Sequence, residues 1–356
     1  MKSDAYGGNR MRRFEGYNKG INLGGWLSQC VARTKEHFDT FITEEDIKTI
    51  ASWGLDHVRL PLDYDIVLSD NNEYIEEGFG YIDNCIKWCQ NNGLNLILDL
   101  HKTYGYSFDP LEDTDKEAFF TDEKLIQHFI GFWQELAKRY GKYSDMMAFE
   151  LLNEIISPNV TDEWNDIANR TIKGIREYAP DTYVVYGGVN YNNVSSVQKL
   201  SDPYDDKIVY NFHCYDPMVF THQSAYWVVG MPSDFKMNYP APLAECKEKG
   251  KMVSLELNAT MGIELDDMDM VGPKFFEAIF KSAIDSAQKR NAPLYCGEYG
   301  VIDQAPTSDT VRWFKDINAT FEKFGIGRAC WTYKNKDFGL VDEHYAEIKD
   351  ELIKLL

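Results

Sequence analysis

Two glutamates stand out for the chemistry they could do: Glu154 in Glu150-Leu151-Leu152-Asn153-Glu154 and Glu298 in Gly297-Glu298-Tyr299-Gly300. Each closes a short apolar run that reads as a β-strand. Paired carboxylates can divide labour, one holding a proton for a leaving oxygen while the other stays ionised to attack. Hydrolysis of a glycosidic bond needs such a pair. The two roles call for opposite pKa shifts. Arg59 and the Tyr215 hydroxyl are expected to keep Glu298 ionised, and a negative Glu298 is expected to raise Glu154 so that it keeps its proton. Asn153 is suited to hydrogen-bond a sugar 2-hydroxyl. The Trp331 indole offers a face for a sugar ring.

These residues share one kind of position. Arg59 in Val58-Arg59-Leu60-Pro61, His101 in Asp99-Leu100-His101, Asn153-Glu154, His213-Cys214-Tyr215, Glu298-Tyr299 and Trp331 fall at the ends of six candidate strands. Parallel strands point one way, so polar residues at their C-terminal ends converge on one pocket. A lone buried His is more often a satisfied core residue. Six such coincidences in six strands are not accounted for by stability.

The elements that must position them alternate in type. Strand patterns fall at Gly20–Gly25, His57–Pro61, Leu94–Leu100, Met147–Glu154, Tyr183–Gly188, Ile208–Cys214, Leu294–Gly300 and Ala329–Tyr333. Amphipathic helical patterns lie between them, for example Thr43–Trp53, Tyr74–Asn91 and Asp122–Tyr140, with Gly93 and Gly141 where helices should stop. Eight strands in strand–helix alternation predict an α/β fold, a (β/α)8 TIM barrel. The first strand ends Asn22-Leu23-Gly24-Gly25-Trp26, not the glycine-rich phosphate turn of a doubly wound sheet. The interval between Cys214 and Leu294 is far longer than one strand–helix unit. Its segment at about 219–269 is rich in aromatics, including Tyr226 and Trp227, and reads as an insertion into a single catalytic barrel spanning 1–356. Aromatic candidates for sugar subsites are Trp26, Tyr64, Tyr104, Phe108 and Trp227.

In order and spacing, the set of strand-end motifs resembles glycoside hydrolase family 5, from about Gly20 to the C-terminus. The resemblance implies a (β/α)8 barrel and cleavage with retention of anomeric configuration. It implies Glu154 as acid/base and Glu298 as nucleophile, with Arg59, His101, Asn153, His213, Tyr215 and Trp331 lining the cleft. Within the family, Gly20-Ile21-Asn22-Leu23-Gly24-Gly25-Trp26-Leu27 and Trp331-Thr332-Tyr333-Lys334 are similar to clostridial endo-β-glucanases with a mainly helical subdomain after strand 6. The implied substrate is β-1,4-glucan or mixed-linkage β-1,3/1,4-glucan, cleaved internally. Exo-β-1,3-glucanase and β-mannanase activities of the same family are the alternatives.

Composition narrows the partners. Lys and Arg number 37 against 57 Asp and Glu, a net charge of −20 that repels nucleic-acid phosphates and leaves a neutral polysaccharide unaffected. No run is apolar enough to span a bilayer. The seven cysteines are odd in number and irregularly spaced, which favours free thiols in a reducing compartment over a disulfide framework or metal site. A signal peptide is not visible before Gly20, so the expected location is cytoplasmic, or secreted if a leader has been removed. No cofactor or metal is expected, and the chain reads as a monomer. A metal-dependent sugar isomerase is the rival of another class. It is disfavoured because Arg59 beside the site would repel a cation.

Overall fold

The computed structural model describes residues 11–109, 112, 115–253 and 268–356. Its strands, in chain order, are β1 (Lys19–Asn22), β2 (His57–Asp63), β3 (Asn95–Lys102), β4 (Met147–Glu150), β5 (Tyr183–Gly187), β6 (Ile208–His213), β7 (Ala241–Pro242), β8 (Met270–Val271), β9 (Leu294–Tyr299) and β10 (Gly327–Cys330). Eight of them close a barrel in the order β1-β10-β9-β6-β5-β4-β3-β2. Every pairing around it is parallel. The expected (β/α)8 barrel is the fold; β2 and β3 run past the expected ends, to Asp63 and Lys102, and the other six barrel strands are shorter than their apolar runs. Strand β4 ends at Glu150, four residues before Glu154.

Alternation along the strands stacks the barrel interior in layers, because residues two apart share a face. Ile97, Ala148, Val185, Val209, Tyr295 and Ala329 form one buried apolar layer, which clusters with Phe14 and Tyr17 from the segment before β1. His57 lies at this level with Nε2 2.7 Å from the Tyr295 hydroxyl. Two residues further along β2, β3, β4, β6 and β9 come Arg59, Asp99, Glu150, Asn211 and Gly297. The next layer is therefore charged, and it floors the open end of the barrel.

Strand β9 departs from simple alternation. Phe212 pairs with Cys296 but His213 pairs with Glu298, and on the other side Arg328 pairs with Cys296 but Cys330 pairs with Tyr299. The strand thus carries one extra residue at Gly297–Glu298, a β-bulge. Tyr295 faces inward and Tyr299 packs outward against Trp313 and Phe321. Without the bulge, Glu298 would share the outward face of Cys296.

Helices cover the barrel with apolar stripes. Helix Glu123–Tyr140 buries Ile126, Phe129, Phe132, Trp133, Leu136 and Ala137, spaced to face one side. Its Trp133 Nε1 donates to the Leu151 carbonyl at 3.0 Å. Gly93 ends helix Glu76–Asn92 in the left-handed conformation, φ 68°. Gly141 ends a helix for another reason. Its φ is −58°, and a Cβ there would lie 2.8 Å from the Ala179 Cβ.

The described part of the 219–269 interval is less helical than expected. After the short helix Met218–Thr221 it runs irregularly to the helix Leu243–Met252. An antiparallel ribbon joins Ala241–Pro242 to Met270–Val271. Residues 254–267 of the interval lie outside the described residues. No helix among the described residues is long and apolar enough to cross a membrane.

Candidate active site

Arg59 sits wholly buried at the centre of the charged layer. Its Nε and Nη2 donate to both oxygens of Glu150 at 2.7 and 2.8 Å. Nη1 donates to Glu298 Oε1 at 2.8 Å and to Asn22 Oδ1 at 2.9 Å. Nη2 also reaches Asn153 Oδ1 at 2.8 Å and Asp99 Oδ2 at 3.0 Å. A planar fork with five donors suits this role, whereas the point charge of a lysine does not. Burial pushes the Asp99 and Glu150 carboxyls up to about 7 even though the Arg59 charge opposes the rise.

The two glutamates meet above this layer. One oxygen of Glu154, one of Glu298 and a ring nitrogen of His213 all lie within 4.8 Å of one another. His213 Nδ1 is 2.8 Å from Glu154 Oε1, and the Tyr215 hydroxyl donates to Glu298 Oε2 at 2.8 Å. Both Glu298 oxygens therefore already accept from donors. Burial and the neighbouring Glu298 charge push Glu154 well above the usual carboxylate range. Burial also raises Glu298, opposed by Arg59, by His101 and by the Tyr215 hydrogen bond. The expected opposite shifts are thus corrected to two upward shifts, both led by burial, that the Glu298 charge reinforces at Glu154 and that Arg59 and Tyr215 oppose at Glu298. Only Glu298 has a cation and a hydroxyl holding its anion, so the pair keeps its proton on Glu154.

Burial holds both nearby imidazoles neutral, His101 and His213 lying well below the ordinary histidine range. His101 Nδ1 is 2.5 Å from Asp99 Oδ2, and its ring lies parallel to Trp331 with centroids 5.8 Å apart. Glu154, His213 and Glu298 could in geometry hold a cation. The Arg59 and Tyr215 donors on Glu298, and the proton that burial favours on Glu154, fit proton transfer better.

A cleft of about 780 Å³ opens over the pair, lined among others by His101, Asn153, His213, Tyr215, Trp227 and Trp331. Two expected cleft residues are elsewhere. Trp26 is fully buried, its ring 5.9 Å from Trp88 and its Nε1 bonded to the Phe38 carbonyl at 2.9 Å, so it is a core residue and not a sugar platform. Arg59 lies beneath the cleft and reaches it only through Glu298 and Asn153. Of the other aromatics, Phe108 lines the cleft, while Tyr64 and Tyr104 pack against each other outside it.

Several contributors were not singled out from the sequence. Glu150 and Asn211 fix Arg59, the Asn211 amide donating to Glu150 Oε1 at 2.9 Å. Both lie two residues beyond apolar inner-face positions, so period-two counting from Ala148 and Val209 could have found them. The Tyr106 hydroxyl donates to the Glu154 carbonyl at 2.8 Å and accepts from Ile156 N at 2.9 Å, bracing the backbone at Glu154. Asn190 and Tyr191 on the cleft wall carried no sequence signal.

A model of the cellulase family, glycosyl hydrolase family 5, matches residues 16–337. The chain is 40% identical over 343 residues to Endoglucanase C of Acetivibrio thermocellus, covering 96% of this chain and 98% of that one. It is 41% identical to Cellodextrinase A of Ruminococcus flavefaciens, covering 90% and 86%. A solved structure of Thermotoga maritima Cel5A with cellobiose shares the fold at a TM-score of 0.74 and 22% identity, covering 95% and 97%.

Proposed function

Since the chain belongs to glycosyl hydrolase family 5, we propose that Glu298 is its nucleophile and Glu154 its acid/base in the cleavage of β-linked glucan. The enzyme is a retaining glycoside hydrolase that cuts such chains internally, as membership and the endoglucanase relatives at 40% identity support. The observation supporting retention is the approach of the Glu154 and Glu298 oxygens within 4.8 Å, and the Arg59 and Tyr215 donors on Glu298 distinguish the two roles. Retaining enzymes hold their carboxyl groups about 5–5.5 Å apart, and inverting enzymes need about 6.5–9.5 Å to admit water between them.

In the first step Glu298 attacks the anomeric carbon while Glu154 gives its proton to the departing sugar oxygen. In the second, Glu154, now ionised, takes a proton from the water that releases the sugar from Glu298. Asn153, with Oδ1 held by Arg59, has an amide with no hydrogen-bond acceptor among the described residues, suited to donate to the 2-hydroxyl. The Glu298→Gln variant is expected to lose at least about a thousandfold in kcat while still binding oligosaccharide. Residual activity within tenfold of wild type would remove Glu298 from the role. Proton NMR of the reaction should show the β-anomer formed first. Between β-1,4 and mixed-linkage glucan, product profiles on cellohexaose and barley glucan decide.

A further inference from the structure

The chain leaving β5 makes a turn for which nothing in the catalytic scheme so far has a use. Asn190, Tyr191 and Asn192 all have positive φ, 56°, 58° and 53°, three successive residues with side chains in a conformation that favours glycine. The turn is tied down at both ends. Tyr191 N donates to the Ile155 carbonyl at 2.9 Å, and Gly188 N donates to Asn192 Oδ1 at 3.1 Å. Asn193 then pairs with His213 in a parallel bridge. Strand β5 ends in Gly187, where a Cβ would fall 1.8 Å from Asn192 Oδ1, so the preceding backbone is shaped to admit the turn.

Both anchors belong to the neighbourhood of the acid: Ile155 follows Glu154, and His213 bonds to it. Strained backbone persists only where surrounding contacts enforce it, and it concentrates at sites of function. Here it holds out two side chains along the cleft. Tyr191 is 45% exposed, an open ring on the cleft wall. The Asn190 amide, on the same wall, has no side-chain hydrogen bond among the described residues. The Glu154 carboxylate is close enough to help burial raise the Tyr191 phenol.

We infer that the turn at 190–192 is the subsite for the departing sugar, with Tyr191 stacking on its ring and Asn190 bonding its hydroxyls. The inference rests on Glu154 as the group that protonates the leaving oxygen, because the sugar beyond that oxygen must lie on Glu154's flank of the cleft. Strand β5 lies next to β4 on that flank, whereas β9, which carries Glu298, lies beyond β6. Binding energy from a part of the substrate that does not react is thereby used to orient the bond to be broken.

Two substrates separate this role from a structural one. A cello-oligosaccharide has a sugar as its leaving group, and an aryl β-cellobioside with an activated phenol does not. Tyr191→Ala and, independently, Asn190→Ala are expected to lower kcat/KM on cellopentaose, Tyr191→Ala by about tenfold or more. Their kcat/KM on the aryl glycoside should stay within about twofold of wild type, and Tyr191→Phe should retain oligosaccharide activity. Added cellobiose should also capture less of the glycosyl-enzyme in Tyr191→Ala, read as fewer transfer products. Equal losses on the two substrates, or no loss on cellopentaose, overturns the inference. Inactivity of Glu298→Gln on the same aryl glycoside stands separately, so a failed subsite is distinguishable from a failed catalytic assignment.

Discussion

Arg59 joins the floor of the site to its chemistry, since one guanidinium touches Glu150, Asp99, Asn153, Asn22 and Glu298. A buried cation is costly unless its donors are satisfied, and these carboxylates and amides satisfy them. The result is an anion on Glu298 that arginine and tyrosine both hold in place. Replacing Tyr215 by Phe removes a donor that lowers the Glu298 pKa, so that pKa rises. In the proposed mechanism Glu298 must be ionised to attack, so the acid limb of the kcat/KM profile should move to higher pH by about one unit. The basic limb, set by the proton on Glu154, should stay near its place. A pH–rate profile of Tyr215→Phe checks this, and an acid limb that stays put or moves down would contradict the electrostatic account. These residues are mostly legible in the sequence. Strand-end polarity pointed to Arg59, Tyr215 and both glutamates. It missed Glu150 because a second carboxylate four residues before Glu154 looked like part of the same motif.

Among the elements, β9 does what its sequence does not announce. Tyr295 faces the barrel interior, so strict alternation would turn Glu298 toward the helices. The extra residue at Gly297 turns it back. Gly297 is tightly placed, with a would-be Cβ 3.0 Å from the Asn211 amide and 3.1 Å from His213 Nε2. Gly297→Ala should therefore cost about 1–3 kcal/mol of stability by overpacking. It should lower kcat/KM by roughly a hundredfold, because misplacement of about 1 Å suffices for such a loss. Urea unfolding and steady-state kinetics on one preparation check both. Lost stability with unchanged activity would show that the bulge does not aim Glu298. Strand existence and order were readable from apolar runs and their alternation with helices, but register was not, since a bulge adds one residue without altering composition. Trp26 shows the same limit. A tryptophan in the segment that follows β1 fits a cleft or a core equally well. The backbone after Gly25, whose φ is 85°, leads its ring inward against Trp88.

At the scale of the whole molecule, parallel strands bring residues from Asn22 to Trp331 to one end of a closed barrel. That convergence made the site readable from a single sequence, because the barrel turns distance along the chain into proximity. The cleft walls were less readable. They come from loops such as 190–192 and 222–230, where backbone conformation and not residue type decides what faces the substrate. Tyr226, 78% exposed on the cleft, is one such outcome of the long interval after β6. The seven cysteines are all free, six of them buried, so packing rather than cross-linking holds the barrel. In the proposed mechanism Glu298 forms a covalent bond to the sugar. A 2-fluoro-substituted cellobioside with an activated phenol leaving group tests it most directly, since the fluorine slows release of the glycosyl-enzyme. Peptide mass spectrometry after incubation should find one cellobiosyl adduct, on the peptide containing Glu298. An adduct on Glu154, or no adduct and no burst of phenol from an enzyme active on the unfluorinated compound, would contradict it.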